Sequence, residues 1–377
     1  MPRRKPTSQP VPPHVRITLL AITILVAFFW AWLAGTIFHA IDARKAATIP
    51  PESQSVMPTP SDAEQSASLP IVDVPKPDAN ILIVGDIMLG RYVETLIKKN
   101  GEDYPFAKLD SLLNGHDLVA GNLEGPIVRD HRQTADDSLV FSFPVSTAAL
   151  LARHKFTHLS IANNHGLDQG TGGVIETQEA LRQAGVTPFG HPSSVQNEDV
   201  VITTVNGHGV VLIGFQAVSS SFPSEQAREL ITTLRSDHPA AFIIVIPHWG
   251  NEYQTTSSKH QQTLAHDWID AGADAVIGHH PHVVQESEIY NGRMIVYSLG
   301  NFIFDQYFSA ETQRGLAVEI VLNAETVSYT LVPLASERSQ PQPMTENESL
   351  TWLTDYQKHS PTVTFEGDRV TLPRSLQ

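Results

Sequence analysis

The stretch Val276–Val283 reads Val-Ile-Gly-His-His-Pro-His-Val and places three histidines, His279, His280 and His282, within four positions. The run Ala275–Ile277 just before them is short and apolar, which predicts a buried strand of an α/β sheet with the histidines in the loop at its carboxyl end. Loops at that edge bind ligands in open α/β sheets. A lone histidine is more often a core or solvated imidazole, but three so close together indicate metal binding.

Four earlier apolar runs also end in side chains that can bind a metal ion. They alternate with helical patterns from Asn80 onward, which predicts an α/β sheet whose strand ends meet at one edge. Each side chain alone is better explained as a helix cap, a turn residue, a core imidazole or a surface charge, so the metal interpretation depends on their convergence. The runs and the residues that follow them are Ile81–Val84 with Asp86, Leu118–Ala120 with Glu124, His158–Ala162 with Asn164 and His165, and Phe242–Ile246 with His248.

The predicted metal ligands combine imidazole, carboxylate and amide groups, and the sequence contains no cysteine. Such a set favours Mn²⁺, Zn²⁺ or Fe over Ca²⁺ and Mg²⁺, which prefer oxygen ligands. One or two ions held there can polarise a phosphoryl or carbonyl oxygen and activate a bound water. His165 then remains free to protonate a leaving group. The predicted ligands are Asp86, Glu124, Asn164, His248, His280 and His282.

Arg91 follows Asp86 by five residues and has two interpretations that the sequence leaves open. Its guanidinium can bind a phosphate or carboxylate group of a substrate. It can also form a salt bridge, with Glu252 or Asp305 as the partner. We retain Arg91 as a substrate-binding candidate.

The N-terminal part of the chain predicts a membrane anchor. Residues 17–41 form a stretch of 25 residues without Asp, Glu, Lys or Arg, which as a helix rises about 37 Å and crosses a bilayer with some tilt. The basic tail 1–16 precedes it, so the N-terminus is predicted to be cytoplasmic and the main domain extracytoplasmic. A cleaved signal peptide is the competing interpretation, but the stretch exceeds an h-region and no A-x-A site follows it. The Pro- and Ser-rich segment 42–78 predicts an extended tether.

The net charge limits the classes of partner. The formal charge is −15, and four of the 25 basic residues fall within 1–16, which leaves 21 basic against 40 acidic residues in the rest of the chain. A body this acidic is a poor nucleic-acid binder, because binding to phosphates needs clustered Lys and Arg. An anionic substrate must therefore be attracted by metal ions or by a few local cations.

The last part of the predicted domain, 79–335, contains three more apolar runs, Ile295–Leu299, Gly315–Leu322 and Val327–Leu334. Little helical pattern separates the last two, which predicts antiparallel strands that close the sheet. The segment 336–377 is polar and contains prolines, and we treat it as a C-terminal extension without an assigned role.

These residues resemble the capsule-synthesis protein CapA family, whose catalytic domain is similar in architecture to calcineurin-like metallophosphoesterases. The resemblance covers roughly Asn80 to Pro333. It implies a four-layer α/β sandwich, with helices flanking two packed sheets, and a role in making or exporting poly-γ-glutamate as a membrane-anchored component beside membrane synthase partners. The motifs that carry it are Gly85–Arg91, Asn122–Glu124, Ala162–His165, His248–Glu252, Gly278–Val283 and Ser298–Asp305.

The comparison with phosphoesterases implies unequal metal sites. Met88 stands where a histidine is expected, and Glu124 is one methylene longer than the expected bridging aspartate. One ion would keep a full ligand set, whereas the other would be left with Asp86, Glu124 and His282. Asn122 lies in the second motif and is, with Arg91, a substrate-binding candidate.

Two classes of function follow from the resemblance. The first is a metal-dependent hydrolase or transferase that acts on a phosphoester or an amide of an anionic polymer, with His165 as the catalytic acid. The second is a binding component that uses the metal site to hold polyglutamate carboxylates. A metal-dependent phosphoesterase unrelated to capsule is the alternative to a capsule role.

Overall fold

The computed structural model describes residues 77–374, and most of their strands assemble into two sheets. The strands are β1 Ala79–Ile87, β2 Leu118–Leu123, β3 Ile127–Val128, β4 Phe143–Pro144, β5 His158–Ser160, β6 Thr187–Phe189, β7 Val201–Val205, β8 His208–Ala217, β9 Phe242–Trp249, β10 Ala275–Ile277, β11 Ser287–Tyr290, β12 Arg293–Val296, β13 Asn301–Ile303, β14 Arg314–Leu322, β15 Thr326–Glu337, β16 Gln340–Pro343 and β17 Arg369–Pro373. The α-helices are α1 Arg91–Asn100, α2 Asp110–Leu113, α3 Ser146–Arg153, α4 Gly170–Gln183, α5 Ser224–Asp237, α6 Lys259–Asp270 and α7 Glu346–His359.

The predicted basic tail, the anchor at 17–41 and nearly all of the tether lie outside the described residues. Within 77–374, the structure has no helix that combines the length and the apolar character needed to cross a bilayer.

The first sheet carries the strands that lead to the predicted acidic ligands. Among the described residues it has nine strands, in the order β16-β15-β14-β1-β2-β5-β6, with β13 beside β1 and β17 beside β15. Strands β1, β2, β5 and β6 are parallel, so their carboxyl ends lie at one edge. Strands β14 and β15 pair antiparallel with each other, and β14 is antiparallel to β1. The predicted antiparallel closure of the sheet is therefore confirmed.

The second sheet has the order β11-β12-β10-β9-β8-β7. Its central strands β8, β9, β10 and β12 are parallel, and β7 and β11 form antiparallel edges. The run Ala275–Ile277 is the predicted buried strand, and the histidine loop leaves its carboxyl end. The strand β8, which sequence analysis did not identify, joins β7 to the centre of this sheet.

Alternating side chains divide the apolar core into layers. Leu82 and Val84 of β1 face a cluster formed with α1 to α4, whereas Ile81 and Ile83 face the second sheet. The other face of the second sheet packs against α5 and α6, with Trp268 fully buried there. Two packed sheets thus lie between two helical layers, which confirms the predicted α/β fold with helix-flanked sheets.

The segment after Ala335 is part of the domain, which corrects the predicted boundary. Strands β16 and β17 both pair with β15. Helix α7 places Leu353 and Tyr356 in the core between the sheets. At its start, the backbone N–H and the hydroxyl of Thr345 both donate to Oε2 of Glu348, and this spacing of Thr and Glu is a sequence signal for a helix start.

The two ends of the described chain meet at the amino ends of the central strands. Arg374 donates hydrogen bonds to Nδ1 of His208 and to the carbonyl of Asn323. Nε2 of His208 lies 3.2 Å from the carbonyl oxygen of Pro77. Because Pro77 precedes β1 and His208 begins β8, this cluster joins the two sheets at the end where the chain enters the domain.

Gly85, next to the ligand candidate Asp86, occupies a position without space for a side chain. A Cβ atom there would lie 2.0 Å from the carbonyl oxygen of Gly300, so we expect Gly85→Ala to lower the free energy of unfolding by about 1–3 kcal/mol. The control is Gly172→Ala in α4, where a Cβ would meet no atom within 4 Å and alanine should stabilise by up to about 1 kcal/mol. Chemical denaturation measures both, and equal effects would contradict the expectation.

Candidate metal centre

Strands of both sheets bring the predicted ligands to one end of the sandwich. Asp86 lies in β1, Glu124 directly follows β2, and Asn164 lies in the loop after β5. His248 lies in β9, and the loop 279–282 follows β10 in the second sheet. The convergence expected at one sheet edge is therefore formed by the carboxyl ends of two packed sheets.

Two carboxylates and one imidazole form the inner part of the centre. Nδ1 of His282 lies 3.5 Å from Oδ2 of Asp86, and its Nε2 lies 3.6 Å from Oε1 of Glu124. Both carboxylates are fully buried, and Oε1 of Glu124 has no hydrogen-bond partner among the described residues. Since an unpaired buried carboxylate oxygen is costly, a divalent cation fits this trio, whose ligand atoms lie within 4.8 Å of one another.

An amide and two imidazoles form the adjacent part. Nε2 of His248 lies 2.7 Å from Oδ1 of Asn164 and 3.0 Å from Nδ1 of His280. Burial lowers the pKa of His248 well below its usual value, and burial together with the neighbouring His282 lowers the pKa of His280 to about 4. Both imidazoles are therefore neutral at pH 7, which is the form that binds metal ions.

His282 has the opposite protonation behaviour. Burial by itself lowers the pKa of His282, but the carboxylates of Glu124 and Asp86 outweigh it and raise the pKa to about 9. Burial raises the pKa of Glu124 well above the usual carboxyl range. In the absence of a cation, the pair of Glu124 and His282 thus holds a proton at neutral pH.

We expect ion binding to release at least one proton per chain at about pH 7.5, because His282 must lose the proton that its raised pKa retains. Release should fade as the pH rises above about 9. The metal-free chain should also lose stability as the pH rises from about 6.5 to 9, since the stabilising proton on folded His282 is fully present below the lower value and lost above the higher one. Calorimetric titration in buffers of different ionisation enthalpy measures the release. Binding without proton uptake or release at pH 7.5 would contradict this expectation.

Asn122 lies buried among the candidate ligands, and its predicted contact with substrate stays a prediction. Its side chain is buried, and Nδ2 lies 2.8 Å from Oδ1 of Asp86, 3.3 Å from Oε2 of Glu124 and 3.1 Å from Nδ1 of His248. Asn163 donates to its Oδ1 at 3.0 Å. Asn122 therefore orients ligands from both sheets, a role that its position two residues before Glu124 did not reveal.

His165 lies at the edge of the centre with one ring nitrogen facing it. Its Nδ1 is 2.9 Å from Oδ2 of Asp168, and its Nε2 is 3.9 Å from Oε1 of Glu124. The ring stacks on Phe141 with the centroids 4.0 Å apart. The backbone N–H of Phe141 also donates to Asp168 at 2.6 Å. Asp168 and Phe141 together fix the ring of His165, and neither residue was predicted from the sequence pattern.

The structure shows Arg91 in one of its two predicted roles, a salt bridge. Its guanidinium pairs with both oxygens of Asp305 and donates to the carbonyl of Ser138. The same group lies 5.0 Å from the ring centroid of Phe141. Arg91 thus holds the loop that carries Phe141, and its use as a substrate clamp stays a prediction.

Two further residues near the centre have structural contacts. Nε2 of His279 lies 3.0 Å from the carbonyl oxygen of Val84, so this histidine packs inside the sandwich. The sulfur of Met88 accepts a hydrogen bond from the backbone N–H of Gly90 at 3.2 Å. A third residue, Asn301, was also not predicted to contact the centre. Its Oδ1 lies 3.0 Å from Nδ1 of His282.

The chain is similar to bacterial capsule synthesis proteins. The family model described as bacterial capsule synthesis protein PGA_cap matches residues 80–306. The capsule biosynthesis protein CapA of Bacillus anthracis is 32% identical over 70% of this chain and 69% of its own length. The PGA biosynthesis protein CapA of Bacillus subtilis (strain 168) is 31% identical over 69% of this chain and 72% of its own length.

More distant similarities are also found. A probable polyglutamine synthesis accessory protein of Mycobacterium tuberculosis is 24% identical, over 72% of this chain and 88% of its own length. The crystal structure of a hypothetical protein from Thermus thermophilus has a TM-score of 0.41 at 16% identity, over 70% of this chain and 95% of that chain. That structural similarity is too low to add to the fold described above.

Proposed function

The chain belongs to the bacterial capsule synthesis protein family PGA_cap, and we propose that it acts in making or exporting poly-γ-glutamate through a divalent metal centre. The name of the Bacillus subtilis relative, PGA biosynthesis protein CapA, supports the choice of polymer, and the name of the Bacillus anthracis relative supports a role in capsule synthesis. The observation that carries the metal centre is the buried carboxylate pair of Asp86 and Glu124, with one oxygen unpaired, beside the imidazoles of His248, His280 and His282.

The centre would hold one or two ions of Mn²⁺, Zn²⁺ or Fe. The mixed nitrogen and oxygen ligands support this choice. When bound, such an ion polarises a substrate oxygen and activates water. The residues proposed to hold it are Asp86, Glu124, Asn164, His248, His280 and His282, and Asn122 orients three of them from below.

His165 is proposed as the catalytic acid of a hydrolase or transferase that cleaves a phosphoester or an amide. Asp168 accepts a hydrogen bond from Nδ1 of His165, and in the imidazolium form Nε2 carries a second proton, directed at the centre, that can pass to a leaving group. The ring of Phe141 covers one face of this imidazole and excludes water there. The salt bridge of Arg91 with Asp305 holds the loop that carries Phe141.

Binding of a polyanion by an acidic chain needs local positive charge. The chain carries a formal charge of −15, and the buried carboxylates add to the negative potential of the centre. Bound divalent ions are the proposed source of attraction for polyglutamate carboxylates. In the second candidate function, a binding component without turnover, the same ions hold the polymer while membrane partners synthesise it.

We further propose that residues 17–41 anchor the chain in the cell membrane, with the N-terminus cytoplasmic and the main domain extracytoplasmic. The support is the length of this uncharged stretch and the basic residues before it. This arrangement would place the centre on the side of the membrane where a capsule is assembled.

Gene deletion with complementation tests the capsule role. In the bacterium that encodes the chain, deletion should abolish or strongly reduce surface and secreted polyglutamate, and the wild-type gene should restore it. Asp86→Asn should fail to restore it at equal protein levels, because it removes a carboxylate from the centre. Unchanged polymer in the deletion strain, together with metal-dependent hydrolysis of phosphodiesters by the purified chain, would favour the alternative of a phosphoesterase unrelated to capsule.

A further inference from the structure

Glu252 lies on the solvent side of the metal centre, in the loop that follows β9. An oxygen of its carboxylate, together with ligand atoms of His280 and His282, forms a group whose members lie within 4.8 Å of one another. Unlike Asp86 and Glu124, Glu252 is exposed. An additional carboxylate therefore lies on the solvent side of the ligand set assigned above.

Residues near Glu252 have positive φ angles, a backbone conformation that residues other than glycine rarely adopt. Tyr253 has φ +62°, and His280 and His282 have φ +97° and +58°. The N–H of Tyr253 donates to the carbonyl of Pro281 at 2.8 Å, which ties the Glu252 loop to the histidine loop. Because such conformations are unfavourable for residues other than glycine, their clustering in two linked loops indicates that the placement of these side chains serves a function.

The charges and donor atoms of the ligands assigned above also favour Glu252 as a further ligand. Asp86 and Glu124 supply two negative charges, which compensate one divalent ion but not two. One nitrogen of His282 binds one ion at a time, and this imidazole already lies between Asp86 and Glu124. A further carboxylate on the solvent side would therefore strengthen the binding of a second ion beside His280.

We propose that Glu252 is a metal ligand, which binds with His280 an outer ion of the centre, while Asp86, Glu124 and His282 bind an inner one. The proposal rests on the metal centre of the proposed function and adds an outer site of lower affinity. The outer ion faces solvent, where it can meet a carboxylate or phosphate group of a substrate.

The test is titration of the full chain, stripped with a chelator and purified without a metal-binding tag, with Co²⁺ followed by visible absorption and with Mn²⁺ followed by calorimetry. The wild type should bind two ions of unequal affinity. Glu252→Gln should weaken the second ion by about tenfold or more, leave the first unchanged and alter only the second Co²⁺ spectrum. Thermal unfolding of the metal-free variant confirms that it is folded.

Glu311→Gln is the matched control, because Glu311 is an exposed carboxylate in the neighbouring loop that lies outside both metal-binding groups. It should bind both ions as the wild type does. A loss in Glu252→Gln that disappears in about 0.5 M salt would show a long-range charge effect and overturn the proposal. Equal binding by Glu252→Gln and wild type, or one ion in the wild type, would also overturn it. Absence of any bound ion in the wild type would instead remove the metal centre of the proposed function.

Discussion

The His280→Ala, His282→Ala double variant is expected to lose divalent metal binding and, with it, any turnover. Among the described residues, His282 belongs to both candidate groups of metal ligands and His280 to one of them. Loss of an outer-shell partner typically costs about 10–100-fold in metal affinity, so we expect the loss of two ligands to exceed about a hundredfold. Elemental analysis of the purified chain gives the metal content directly.

The control is the His260→Ala, His359→Ala double variant, which removes two exposed imidazoles from helices α6 and α7. It should retain the metal content and stability of the wild type. Removal of His282 also leaves the carboxylates of Asp86 and Glu124 buried without their cationic neighbour, so circular dichroism must show that the test variant is folded. A folded variant with full metal content would place the ions elsewhere.

His165→Ala is expected to reduce turnover by about 10²–10⁴-fold while the metal content stays unchanged, because a positioned acid contributes about that much. The measurement is the rate on whichever phosphodiester or γ-glutamyl amide the wild type hydrolyses. Asp168→Asn should cause a smaller loss and change the pH profile, since it weakens the hydrogen bond that orients His165. Full turnover by His165→Ala would exclude this residue as the acid, and loss of metal would give it a structural role.

The convergence of the candidate metal ligands was largely predictable because its signals are local. Each apolar run ends within a few residues of an imidazole, carboxylate or amide, and the parallel strands of both sheets bring these ends to the same end of the sandwich. The sequence pattern did not show that β9 and β10 belong to a different sheet from β1 and β2. Apolar alternation indicates which side chains are buried, but it does not indicate which sheet covers them.

The supporting residues were harder to predict because their roles depend on contacts between distant parts of the chain. Arg91 and Asp305 are 214 positions apart, and the sequence left the salt bridge and the substrate clamp equally open. The sequence does not show whether the amide of Asn122 lies in an exposed loop or beneath candidate metal ligands. Only its burial in the structure distinguishes these two environments. The C-terminal segment looked polar because β17 is an edge strand and α7 buries few side chains.

The cluster of Pro77, His208 and Arg374 has a practical consequence for handling the protein. Strand β1 leads from this cluster to Asp86 and has nine residues, or about 30 Å at about 3.3 Å per residue. Coupling to a sensor surface or bead through residues upstream of Pro77 therefore holds the domain by the end remote from its candidate metal ligands. Polymers too large to diffuse between the domain and the support would still reach the centre, so N-terminal immobilisation suits capture experiments with long polyglutamate chains.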